Sequence, residues 1–94
     1  MTIHLKGEIG TGRVWLRYKE LYPGESQRLI NHSPDGFSWG YGGSGPSQLA
    51  LAICLELFDR KKALKVYQVF KWRHIATLPQ TDFERDITVD QYLL

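Results

Sequence analysis

The chain has 94 residues, of which 43% are hydrophobic and 23% charged, a composition that excludes an intrinsically disordered protein and is typical of one globular domain, predicted to span residues 1–94. The formal net charge of +2 is too weak to indicate nucleic-acid binding by itself. The same charge excludes a mimic of DNA, because such a protein needs a strongly acidic surface.

The cysteine and histidine content excludes several kinds of site. A single cysteine, Cys54, cannot form an internal disulfide or a thiolate metal cluster, which favours a reducing compartment. His4, His32 and His74 are far apart in the sequence, so neither a metal centre nor a cofactor is expected. The longest apolar run, Leu49 to Leu55, is shorter than the ~20 residues of a spanning helix, and we expect a soluble, cytoplasmic protein.

The first third of the chain predicts strands. Polar and apolar residues alternate from Thr2 to Lys6 and again from Arg13 to Lys19, with glycines between the two runs, which predicts a pair of strands. A hairpin is predicted from about 27 to 41: a strand over Gln27–His32, a turn at Ser33–Gly36, and a strand of alternating aromatic residues over Phe37–Tyr41.

Two helices and a short tail follow. Ser44-Gly45-Pro46 resembles a helix start, and the stretch from Leu49 to Phe58 is apolar nearly all round, which predicts a buried helix. Asp59 is placed to cap a second helix over about 60–78, which Pro79 ends. A short strand is predicted near 83–87, and Thr88 with Gln91 resembles a capping box for a last helical turn. The predicted fold class is α+β, with a small antiparallel sheet of three to five strands packed against two main helices.

The glycine-rich centre carries a resemblance to a known family. Residues 31–52 read NHSPDGFSWGYGGSGPSQLALA, and this stretch resembles the signature of an uncharacterised family of small proteins from bacteria, phages and mobile elements, a domain of unknown function. Residues 67–71, 75–79 and 83–87 add to the resemblance. The resemblance brings no assigned activity. Because the family occurs in phages and mobile elements, the resemblance implies an accessory role, and anti-defence is a common role for such small proteins.

The turn from 41 to 47 is the strongest candidate for a ligand site. Glycines let the backbone approach a ligand, and a helix N-terminus attracts anions, so a phosphate is the expected ligand. Alternatively, the glycines only permit a tight connection between a strand and a helix. Trp39 and Tyr41 lie just before this turn on one face of the predicted strand, which suits stacking on a nucleotide base. Alternatively, Phe37, Trp39 and Tyr41 form the core face of the sheet. The candidate ligand-binding residues are Tyr41, Gly43, Ser44, Gly45, Ser47 and Lys71.

Two further sets of residues are weaker candidates. His32 is a possible general base, with Ser33 or Ser44 as nucleophile, or a contact to a phosphate, or else a structural residue. A basic helix face with an exposed aromatic residue suits an acidic protein patch, although such a face is often only solvated. That candidate interaction face consists of Lys61, Lys62, Lys65, Trp72 and Arg73.

Three functions therefore compete. The first is a non-enzymatic binding protein that sequesters a phosphorylated small molecule or nucleotide. The second is a module that inhibits a host enzyme or defence complex by binding it. The third is a small phosphodiesterase that depends on His32, which ranks last because no acid and base occur at a fixed spacing. Nucleic acid and membranes are not expected partners.

Overall fold

A computed structural model describes residues 1–93, so residue 94 of the predicted domain lies outside the described residues. It has the predicted α+β class, with a four-stranded antiparallel sheet, two main helices and a short one. The strand order in the sheet is β3-β2-β1-β4. The elements are β1 (Thr2–Glu8), β2 (Arg13–Leu16), β3 (Lys19–Leu21), α1 (Gly24–Leu29), α2 (Ser44–Leu57), α3 (Arg60–Phe70) and β4 (Phe83–Thr88).

The first strand forms as its alternating pattern predicts. Ile3 and Leu5 are buried on the face that the helices cover, whereas His4 and Lys6 lie on the opposite face. Gly7 also lies on the buried face, under the rings of Trp39 and Phe83, where any side chain would collide with them. β1 pairs with β2 on one side and β4 on the other, so it is central to the sheet.

The prediction of one strand over Arg13–Lys19 is wrong. β2 ends at Leu16, and Arg17 and Tyr18 form a two-residue turn with φ of 52° and 67°, after which the chain returns as β3. Both residues adopt the left-handed conformation that hairpin turns of this kind require. The Tyr18 ring stacks on His4, with centroids 4.1 Å apart.

The predicted hairpin over 27–41 is also wrong. Residues 24–29 form α1, and the chain from 30 to 43 has no strand. The turn itself forms, because the Gly36 N–H donates to the Ser33 carbonyl at 3.2 Å, and Gly36 has φ of 103°. Phe37 and Trp39 alternate because both are buried in the core; the Trp39 indole N–H donates to the Thr81 carbonyl at 2.9 Å.

The buried helix forms as predicted. α2 begins at Ser44 and is buried on all sides from Gly45 to Cys54. Pro46 is its third residue, a position where the missing N–H costs no hydrogen bond. α2 packs against α1 and α3.

The second main helix begins as predicted and ends early. The Asp59 carboxylate accepts a hydrogen bond from the Lys62 N–H at 2.8 Å, which confirms the predicted cap. α3 ends at Phe70, and a π-helical turn over Lys71–Ile75 follows it directly. The helical segment therefore ends before residue 78, where the sequence predicts its end. β4 confirms the predicted late strand, but the Thr88 capping box does not form, because a 3-10 turn starts at Asp90 with no side-chain cap.

Candidate functional site

Within residues 1–93 no side-chain hydrogen bond caps the N-terminus of α2, and side chains pack closely against its glycines. Gly43 is the N-cap residue and supplies no side-chain cap, and the first helical hydrogen bond runs from the Ser47 N–H to the Gly43 carbonyl at 3.1 Å. Ser44 is exposed, whereas Gly45 and Ser47 are buried. Of the predicted ligand-binding residues in α2, Ser44 is therefore the one that is exposed at the surface.

Each glycine of the turn is covered by a side chain. The Trp72 ring lies on Gly42, the Tyr41 ring lies on Gly43, and Ser38 lies on Gly45. A side chain at any of these positions would collide with its cover. The glycines are thus required for this packing, whatever else the turn does.

Lys71 and Trp72 lie beside this turn. Lys71 is only 6% exposed, and its ammonium lies 4.4 Å from the centroid of the Trp72 ring. Within residues 1–93 this ammonium forms no ion pair with a carboxylate. Trp72 is 58% exposed and reaches across to Gly42. The two predicted sets, the glycine turn with Lys71 and the basic face with Trp72, therefore meet at one indole ring.

The aromatic residues before the turn have different surroundings. Trp39 is 1% exposed and has no face open to a ligand. Tyr41 is 45% exposed, and its hydroxyl is 2.8 Å from the Ser38 Oγ. Tyr41 and Trp72 are therefore the rings available for stacking near the α2 N-terminus.

His32 is half-buried and has a partner that the sequence did not indicate. Its Nε2 lies 2.9 Å from the Tyr67 hydroxyl, and its backbone N–H donates to the Gln48 side chain. Among the described residues its ring forms no hydrogen bond with the hydroxyl of Ser33 or Ser44, so the predicted pair of nucleophile and base is not assembled.

Gln48 was missed as a key residue by sequence reasoning. It is fully buried; its Oε1 accepts from the N–H groups of His32 and Ser33, and its Nε2 donates to Ser26 and Ile30. Its role is to fasten α1 and the following loop to α2. The available signal was a lone amide directly before the apolar run of a buried helix.

The predicted interaction face mixes charge with apolar surface. Lys61, Lys65 and Arg73 are exposed, whereas Lys62 is half-buried with its ammonium 5.8 Å from the Phe58 ring. Leu64 and Val69 are 38% and 46% exposed along the same helix.

Residues 1–93 contain neither a group of metal ligands nor a membrane-spanning helix. No three His, Cys, Asp or Glu side chains there are grouped so as to hold a metal ion. None of the helices in that range combines the length and the apolar character needed to cross a bilayer.

Comparison with known proteins identifies a family of unknown function. No match was found among curated proteins or among solved structures. A family model, described as a family of unknown function, matches residues 5–93, which confirms the resemblance to a domain of unknown function. The match brings no substrate or partner with it. The chain belongs to the family of unknown function DUF6166.

Proposed function

We propose that this protein is a non-enzymatic binding protein for a phosphorylated aromatic small molecule, of the nucleotide class, at the N-terminus of α2. The observation that carries the proposal is the position of Lys71. Its stem is buried, and its ammonium is held against the exposed Trp72 ring without a carboxylate partner in residues 1–93. A buried cation without a counterion favours binding of an anion.

Two sources of positive potential would act on that anion. The uncapped N-terminus of α2 offers the Ser44 N–H and the positive end of the helix dipole. The Trp72 ring connects this end of the helix to Lys71, because it covers Gly42 and contacts the ammonium. Stacking of a base on an exposed ring such as Trp72 or Tyr41 would add roughly 1–3 kcal/mol.

This proposal fits the accessory role that the resemblance to phage and mobile-element proteins implies. Sequestration of a signalling nucleotide in the host cytoplasm would be an anti-defence function, and it requires no catalytic group.

The test is thermal unfolding with mononucleotides, cyclic oligonucleotides and the matching nucleosides. A ligand at 100 times its dissociation constant stabilises by about 2.7 kcal/mol, which is several degrees for a domain of this size. We expect a shift with one class of nucleotide and none with its nucleoside. Lys71→Met should abolish the shift.

A matched pair of variants tests the backbone donor. Ser44→Pro removes the N–H at the first position of α2, where proline is tolerated, whereas Ser44→Ala keeps it. Binding should be lost in the first variant and retained in the second. No change in the melting temperature of the wild type with any of these ligands, or an equal change in Lys71→Met, would contradict the proposal.

A second candidate function is inhibition of a host protein through the outer face of α3. It is favoured by the exposed Leu64, Val69 and Trp72, which lie among the cations Lys61 and Lys65. Apolar surface with a basic rim suits an acidic partner. Lys65→Glu with Val69→Ser should release a captured host protein, whereas Lys19→Glu on β3 should not. If the wild type, the Lys65→Glu, Val69→Ser double variant and the Lys19→Glu control all capture the host protein equally, this face is excluded as the binding surface.

A further inference from the structure

A second basic region lies in a cleft between the π-helical turn and β4. The cavity has a volume of about 310 Å³. One wall comes from the helical segment and the other from the edge strand of the sheet. The lining includes Arg73, His74, Thr77, Leu78 and residues 85–88.

Arg85 occupies an unusual position in this cleft. It pairs in register with Leu5, which is fully buried on the helix-covered face, and its neighbours Phe83 and Ile87 on that face are buried too. Arg85 is nevertheless exposed, because β4 is the edge strand and the side chain lines the open cleft. A charge at such a position protects a sheet edge from pairing, but that role needs no second cation opposite it.

Arg73 supplies that second cation from the other wall. Neither arginine forms an ion pair with a carboxylate of residues 1–93, and Arg73 instead lies near the Tyr92 hydroxyl. Asp86 also lines the cleft, but it pairs in register with His4, whose side chain is on the opposite face of the sheet, so the strand directs the Asp86 carboxylate away from the face that carries Arg85.

His74 adds a ring to the cleft but no positive charge near neutral pH. Burial, and then the charge of Arg73, lower the pKa of His74. Its Nε2 lies 3.4 Å from the Gln91 amide nitrogen, which fits a neutral ring that accepts a hydrogen bond there. The charge of the cleft therefore comes from two guanidinium groups, one from each wall.

We propose that this cleft binds a phosphate monoester group between Arg73 and Arg85. Such a group carries a charge of about −1.5 to −2 at pH 7 and matches the planar donor fork of arginine. Thr77 lines the same cleft and adds a hydroxyl as a further polar partner. The site is separate from the α2 N-terminus, and it does not rest on the function proposed there.

The test is an NMR titration of the ¹⁵N-labelled chain with phenyl phosphate at constant ionic strength. We expect saturable shifts in residues 73–78 and 85–88. Arg73→Gln and Arg85→Gln should each raise the dissociation constant roughly tenfold or more, because each removes a charge-assisted pair. Arg28→Gln, at an exposed arginine of α1, is the matched control and should leave the constant unchanged.

Additional ligands and variants identify the group that is bound. Phenyl sulfate, a monoanion, should bind more weakly than phenyl phosphate, and Arg85→Lys should fall between the wild type and Arg85→Gln. Inorganic phosphate that binds as tightly as the ester would assign the site to free phosphate, whereas weaker binding would assign it to the ester. Shifts confined to residues 41–47 and 71–72 would overturn this site while supporting the first one. Equal affinity in the folded double variant Arg73→Gln, Arg85→Gln would also overturn it.

Discussion

Gln48 shows how one side chain holds two parts of this fold together. Its amide lies in the core, where both ends are fully used by backbone and side-chain groups from residues 26–33. A buried polar network of this kind stabilises only when every member is satisfied. The residue therefore explains why an amide stands in the middle of a glycine-rich and apolar signature.

Replacing this residue should be costly. Gln48→Leu keeps the volume but removes the hydrogen-bond partner of the Ser33 N–H, at about 1–3 kcal/mol for a group that water cannot reach. The other three groups, on Ser26, Ile30 and His32, each lose one of two hydrogen bonds. We expect the free energy of unfolding to fall by about 2–3 kcal/mol in urea titrations. Gln68→Leu, on the exposed face of α3, is the control. A similar loss in both variants would show that the network contributes nothing.

His74 should make stability depend on pH. Its pKa in the folded protein is lowered, mainly by burial, below the ordinary value of 6.5, so the unfolded chain binds the proton more tightly. Stability is then fully present above pH 6.5 and falls as the pH drops below it. His74→Phe, which keeps an aromatic ring beside Phe70 and Tyr92, should reduce this fall between pH 7.5 and 5.5. Parallel pH profiles of unfolding for the two proteins would contradict the assignment.

Residue partners were the hardest feature to predict. The sequence pattern locates His32 beside a turn, but its partner Tyr67 lies 35 positions away on α3. The pattern also predicts Trp72 on the basic face of a regular helix, whereas the π-helical turn sets its direction and brings it onto Gly42. Such contacts depend on tertiary packing, and no local pattern encodes them.

Among the elements, those with a strong apolar period were predicted well. The alternation of β1 and the apolar run of α2 follow burial directly, and the cap at Asp59 locates the start of α3. α1 has no such period, because its buried residue is Ser26, so the sequence pattern does not predict this helix and favours a strand over part of it. The turn between β2 and β3 lacks the glycine or asparagine from which a hairpin is usually predicted.

The left-handed backbone of that turn lowers the stability of the fold, and suitable turn residues would remove this effect. Left-handed conformations cost ordinary residues about 1–2 kcal/mol each, and Arg17 and Tyr18 both adopt one. Arg17→Asn with Tyr18→Gly supplies the preferred turn residues but loses the stack on His4. We expect a net gain of about 1 kcal/mol, or roughly 4–8 °C in melting temperature.

A single substitution separates the two effects at this turn. Tyr18→Ala keeps the left-handed backbone and removes the ring, so it should lower the melting temperature. A double variant that melts no higher than the wild type would show that the turn carries little strain.

At the scale of the whole molecule, one core holds the sheet and the helices together, and Cys54 lies within it. Burial raises the pKa of this thiol to about 12, and the thiolate is the form that reacts with alkylating agents. We expect iodoacetamide at pH 8 to label the native protein on the order of 10³ times more slowly than an unfolded chain, at a rate that rises with urea as unfolding does.

A variant whose cysteine lies at the surface provides the comparison. In a variant with Cys54→Ala and Asn31→Cys the thiol lies at an exposed position and should react at once. Fast labelling of Cys54 without urea would mean that α2 is reached by local opening and that the core is less cooperative than its burial indicates.

The central place of β1 in the sheet has a consequence for synthesis in the cell. His4 on β1 and Glu84 on β4 are hydrogen-bonded although they are 80 residues apart. A ribosome adds about 5–20 residues per second, so the nascent β1 waits roughly 4–16 s for one of its two neighbours. During that interval one edge of β1 and part of its apolar face are open to other chains and to chaperones. Slow translation before β4 should therefore lower the yield of folded protein more than slow translation after it.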